Sequence, residues 1–150
     1  MGLTAGGERA PHWRVASSAR AKSQRRSPGT SGILLIEDVP ETLSAAKVVL
    51  EREHFVVLTA VNGLEGVETF CRHERDIDVV LVDLVIPELD GVDTLRAIRG
   101  LQEDAKVILT TGYEGHPAPD RWRSLGFAGF IKKPYTADRL VTEIRAVMEA

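Results

Sequence analysis

Four short segments of this 150-residue chain carry acids, hydroxyls and a lysine just past a run of apolar residues. Glu37-Asp38 follows Ile33-Leu34-Leu35-Ile36, and Asp83 follows Val79-Val80-Leu81-Val82. Thr110-Thr111 follows Val107-Ile108-Leu109, and Lys132-Lys133-Pro134 follows Phe130-Ile131. If these runs are strands of one sheet, three carboxylates and an ammonium meet at one edge. Carboxylates held that close oppose one another's ionisation unless a cation joins them. Oxygen donors alone select a hard divalent ion, Mg2+ first and Mn2+ as an alternative, because Mg2+ keeps part of its water and takes only one or two carboxylates. In that setting Asp83 is a candidate nucleophile toward phosphorus, with Lys133 neutralising charge that builds on the transferring oxygens. The Thr111 hydroxyl, one residue before Gly112, can turn onto a phosphoryl oxygen and draw the following loop inward.

Positioning these residues requires alternating strands and helices. Apolar runs predict strands at 33–36, 56–59, 79–82, 106–110 and 129–131, and their unbroken apolar character suits strands covered on both faces. Between them, 41–53 sets Leu43, Ala46, Val49 and Leu50 on one helical face, and 64–75 does the same with Leu64, Val67 and Phe70. Helices are also expected at 92–99 and 137–148. In 115–126, Pro117 and Pro119 delay a helix until about Asp120. Five strand–helix units predict an α/β, doubly wound, five-stranded parallel sheet, whose ligand site lies beyond the carboxyl ends of its strands.

Composition bounds the rest. The apolar content, 43%, supports one core in a chain of this length. Residues 1–31 hold six basic residues against the single acid Glu8, a charge of +5, and show no apolar period, so they are expected to be a disordered basic leader or linker. The remainder, 32–150, is left with 13 basic and 21 acidic residues, a charge of -8, which argues against direct DNA binding by the folded domain. Cys71, as the sole cysteine, excludes an internal disulfide. No apolar run reaches the ~20 residues of a membrane span, and no signal-peptide pattern opens the chain, so a cytoplasmic protein is expected.

Taken in order, Ile-Leu-Leu-Ile-Glu37-Asp38, Val-Asp83-Leu-Val-Ile-Pro87-Glu-Leu-Asp-Gly91, Leu-Thr-Thr111-Gly112 and Gly-Phe130-Ile-Lys132-Lys133-Pro134 resemble the receiver domains of response regulators. The likeness runs through 32–149 and is strongest to receivers of hybrid histidine kinases. It implies a flavodoxin-like, CheY-like (βα)5 fold with strand order 2-1-3-4-5. It also implies that Glu37, Asp38, Asp83 and the Val85 backbone carbonyl bind the metal and that Asp83 is the phosphoacceptor. Thr111 and Phe130 become the switch pair, and Lys133 the phosphate-binding lysine. The family pattern of a hydroxyl followed by a small residue selects Thr111 over Thr110. Glu37 departs from the commoner Asp by one methylene.

The implied function is a phosphoryl-accepting switch of a two-component system or phosphorelay, not an enzyme in the usual sense. A histidine kinase or histidine phosphotransfer protein would donate the phosphoryl group, the downstream protein partner is left unnamed, and a monomer or weak dimer is expected. Val85 and Tyr113, two residues beyond Asp83 and Thr111, would slow an attacking water and give a long-lived phosphoryl state. Two alternatives are a phosphorylation-independent pseudo-receiver and a flavodoxin-like redox protein. Against the second, Glu37-Asp38 would repel a flavin phosphate.

Overall fold

A computed structural model describes residues 30–112 and 115–150 of the chain. All but the last two residues of the expected leader, and Tyr113, lie outside the described residues. Strands β1 (Gly32–Ile36), β2 (Val56–Ala60), β3 (Val79–Asp83), β4 (Val107–Thr111) and β5 (Gly129–Lys132) form one parallel sheet in the order β2-β1-β3-β4-β5. Helices α1 (Pro40–Arg52), α2 (Gly63–His73), α3 (Gly91–Leu101), α4 (Trp122–Leu125) and α5 (Ala137–Glu149) connect or follow them.

Strand side chains point alternately to opposite faces, and this alternation builds two cores. Ile33 and Leu35 of β1, Val79 and Leu81 of β3, Ile108 and Ile131 pack with Ala46 and Leu50 of α1 and Leu140, Ile144 and Val147 of α5. Leu34, Ile36, Val80, Val82, Val107 and Leu109 pack on the other face with Phe70, Leu95, Ile98 and Phe127, joined by half-buried Trp122 and Phe130. The central strands β1, β3 and β4 are buried along their whole length, whereas β2 opens on Val56, which is half exposed at the sheet's edge.

Helix starts follow local chemistry. Asn62 accepts from the Glu65 amide, while Glu65 reaches back to the Val61 amide. Asp90 and Thr136 likewise accept from the Asp93 and Arg139 amides. Pro40 opens α1, where a missing N–H costs nothing.

Three sequence expectations need correction. Phe70 and Val67 pack on the core as expected, but Leu64 is 48% exposed, and Gly63, Gly66 and Thr69 complete the buried face of α2. Gly66 lies so close to Ile36 that an added Cβ would sit 2.4 Å from its Cδ1, and this close approach rotates the helix away from the Leu64 stripe. Strand β4 starts at Val107, although the Lys106 carbonyl already accepts from the Val80 amide at 2.9 Å; the Lys106 side chain reaches the Met148 and Ala150 carbonyls. In 115–126 a 3-10 turn over Ala118–Arg121 precedes the single turn of α4, which Gly126 ends at φ 111.

Candidate functional site

Alternation also decides what meets at the carboxyl edge. Glu37 follows the face of Leu35, Asp83 that of Leu81, and Lys133 that of Ile131, so all three belong to the α1/α5 side of the sheet. The Glu37 amide donates to the Ala60 carbonyl at 3.0 Å, extending the ladder between β1 and β2 by one residue. The Lys133 amide does the same to the Thr111 carbonyl at 3.1 Å beyond β5. These bonds fix the backbones from which the side chains reach inward. Glu37 Oε1 accepts from Lys133 Nζ at 2.5 Å, and Lys133 Nζ lies 3.3 Å from Asp83 Oδ2. Glu37 and Asp83 are buried, while Asp38 is exposed at the rim.

One ligand oxygen each from Glu37, Asp38 and Asp83 lies within 4.8 Å of the others. Three carboxylates face a single lysine. Burial pushes the Asp83 carboxyl up to about 6; Lys133 opposes this, and Glu37 and Asp38 add to it. Burial alone would lower the Lys133 ammonium, but its hydrogen bond to Glu37 and the charge of Asp83 hold it above the usual lysine value. Oxygen-only donors, close spacing and an unbalanced negative charge fit a hard divalent cation.

The remaining predicted residues divide by face. Asp83 is paired in register with Thr110, whose hydroxyl lies 3.5 Å from the Val82 carbonyl on the α1/α5 side. Thr111, one residue on, lines a separate cavity of about 220 Å3 with Gly112, His116, Pro119, Asp120, Phe130 and Lys132. The structure thus brings Glu37, Asp38, Asp83 and Lys133 together and sets Thr111 beside Phe130 on the other face. Val85 is 55% exposed, in the loop after Asp83.

Tyr135, passed over in the sequence, is half-buried and shares a small cavity with Glu37, Leu35 and Thr110. Burial pushes its phenol up; Lys133 opposes this, while Glu37 and Asp83 add to it. Its position two residues past Lys133, on the same alternating face, was the available signal. Trp122 is accounted for by packing, with Arg123 stacked 4.5 Å from its ring.

The fold and site together define an aspartate-centred α/β domain with acids and a lysine at the carboxyl edge of its sheet. Residues 33–145 match the response regulator receiver domain, and the chain belongs to that family. It is 30% identical over 118 residues to the cell cycle response regulator CtrA of Brucella ovis, a match that takes in 77% of this chain and 49% of that protein. It is 28% identical over 121 residues to the sensor kinase CckA of Brucella abortus, 81% of this chain but 13% of that one. The chain therefore spans half or less of the length of these curated relatives. A response regulator receiver domain protein from Clostridium thermocellum superposes with a TM-score of 0.75 at 32% identity, covering 79% of this chain and 94% of that structure. CheY in its complex with CheX, BeF3 and Mg2+ from Borrelia burgdorferi shares the fold, with a TM-score of 0.73 at 24% identity over 78% of this chain and 88% of that one. Among the described residues no helix is long and apolar enough to cross a membrane.

Proposed function

We propose that the chain is a phosphoryl-accepting switch in which Asp83 takes the group from a partner's phosphohistidine. The observation that carries this reading is the meeting of Asp83 with Lys133 at 3.3 Å inside a cluster of three carboxylates. Glu37, Asp38, Asp83 and the Val85 carbonyl would hold Mg2+, with Mn2+ as a substitute. When bound, the cation supplies the positive charge that allows these carboxylates and the phosphoryl oxygens to share one pocket. Asp83 Oδ attacks phosphorus, the P–N bond to the donor imidazole breaks, and the imidazole leaves. The attack needs the carboxylate, which predominates at neutral pH for a group titrating near 6. Lys133 Nζ, tethered by Glu37, stands where charge develops on the transferring oxygens.

Thr111 then closes on the phosphoryl group, and Phe130, in the same cavity, follows the hydroxyl; the aspartyl phosphate biases two arrangements of that face. The output is a change in protein binding, in a cytoplasmic pathway with a histidine kinase or histidine phosphotransfer protein upstream. By its charge, we read the 1–31 segment as a basic leader or linker to the 32–150 domain.

Incubation with acetyl phosphate and Mg2+, followed by intact mass measurement, tests the proposal. The parent should gain one phosphoryl group and Asp83→Asn none. An unmodified parent, the result expected of a phosphorylation-independent module, would overturn it.

A further inference from the structure

We infer that Glu74 is the anchor of the basic leader: the Arg25-Arg26 pair supplies the counter-charge for its buried carboxylate and ties the segment before β1 to the amino edge of the sheet. This is the end remote from Asp83, and the inference stands independently of the phosphoryl switch.

Glu74 opens a 3-10 turn (Glu74–Asp76) between α2 and β3. It continues the inward stripe of α2, one turn past Phe70 and one before Ile77, both of them buried. Only 3% of the residue is exposed, and among the described residues neither side-chain oxygen has a hydrogen-bond partner. The buried acids of the other edge, Glu37 and Asp83, share Lys133. Glu74 has no such arrangement, and its chain neighbours Arg72 and Arg75 are exposed on the outer side of the helix and turn. A carboxylate enclosed without partners has lost its hydration with nothing in exchange, a cost that folded proteins offset with a cation or a proton.

The chain carries cations to this place. The Gly32 amide donates to Asp78 Oδ2 at 2.9 Å, and the Asp78 amide returns the bond to the Gly32 carbonyl at 2.8 Å. A Cβ on Gly32 would overlap the Asp76 carbonyl oxygen, so the strand enters the sheet directly against the turn that Glu74 opens. Arg26 precedes Thr30 by four residues, and an extended chain gains roughly 3.5 Å per residue, which brings the Arg25-Arg26 pair within reach of that turn. The leader's charge of +5 against -8 on the remainder draws the two together. Arginine suits the vacancy better than lysine. Its planar fork can donate to both oxygens of one carboxylate, and both oxygens of Glu74 lack a donor.

A double-mutant cycle read by urea denaturation of the full chain tests the anchor, using the parent, Glu74→Gln, the pair Arg25→Ala and Arg26→Ala, and all three changes together. Removing the arginines should raise the unfolding equilibrium constant about tenfold in the parent background and less than about threefold once residue 74 is neutral, the gap being the coupling between leader and anchor. Limited trypsin digestion gives a reading that does not rest on stability. Cleavage after Arg26 should be several-fold faster in Glu74→Gln than in the parent, while cleavage after Arg14 stays unchanged. Equal losses in both backgrounds, or cleavage after Arg26 that ignores residue 74, would overturn the anchor and leave a proton or a dissolved cation to offset the buried charge.

Discussion

Asp83 sits where the demands of folding and chemistry oppose each other. Its folded carboxyl titrates near 6 against an ordinary 3.8, with burial as the main cause. Between those values the folded chain holds a proton that the unfolded chain has released, so stability falls as pH rises through this window. Above pH 6 the ionised group costs on the order of 2–3 kcal/mol relative to an unshifted carboxyl. Asp83→Asn is therefore expected to be more stable than the parent at pH 7 without divalent ions and to lose the slope between pH 4 and 6, as measured by urea denaturation across pH. A less stable Asn variant would mean that the charge of Asp83 is needed to hold Lys133. That Asp83 ends a wholly apolar run at the sheet edge was legible in the sequence, whereas the role proposed for it came from the spacing to Pro87 and Gly91 and the family resemblance. Its neighbours were less legible. Glu37 and Lys133 lie far apart in sequence, and which oxygen of Glu37 meets Lys133 depends on torsions that no spacing rule encodes. Tyr135 was hidden because an aromatic beside a proline also reads as ordinary packing.

At the scale of elements, the loop between β3 and α3 carries Asp83 into position. It folds back so that the Gly91 amide donates to the Leu84 carbonyl at 2.8 Å, and the Pro87 carbonyl accepts from the Gly63 amide at 3.1 Å, tying the loop to the start of α2. A Cβ on Gly91 would lie 2.9 Å from both the Asp83 carbonyl oxygen and Leu84 Cα, backbone atoms that cannot step aside alone. Gly91→Ala should cost about 1–3 kcal/mol in thermal or urea unfolding and slow loading of Asp83 by acetyl phosphate, because relief comes only by moving the acceptor's own strand end. A variant with parent stability would show that the loop yields freely. Pro87 and Gly91 were visible in the sequence as members of the family motif. The inward face of α2 was legible in Val67 and Phe70 but not at its start, because Gly63 and Gly66 contribute closeness in place of apolar bulk, so the pattern pointed to Leu64. The delay of α4 was legible in Pro117 and Pro119, whereas the 3-10 turn over Ala118–Arg121 was not, because a search for helical periodicity does not register it.

Across the whole molecule, the sheet separates the proposed acceptor from the proposed switch residues. The acids and Lys133 occupy the α1/α5 side of the carboxyl edge, while Thr111 and Phe130 line the cavity toward His116 and Asp120. Thr111→Ala should still take up the phosphoryl group, yet lose most of the amide chemical-shift change around 115–121 and Phe130 that the parent shows on adding beryllofluoride and Mg2+. Undiminished shifts in the alanine variant would mean that another group couples the two faces. The doubly wound order was legible from the alternation of apolar runs and amphipathic stretches, whereas this division between faces emerges only once register is known, since a shift of one residue would exchange Thr110 for Thr111. In the proposed reaction the acyl phosphate forms on one carboxylate, Asp83, among the three in the pocket. Treating the acetyl phosphate-loaded chain with borohydride and mapping its peptides tests it most directly. Reduction at Asp83 alone, dependent on Mg2+, is the result expected. Reduction at Asp38 or Glu37, or none at any of the three, would contradict it.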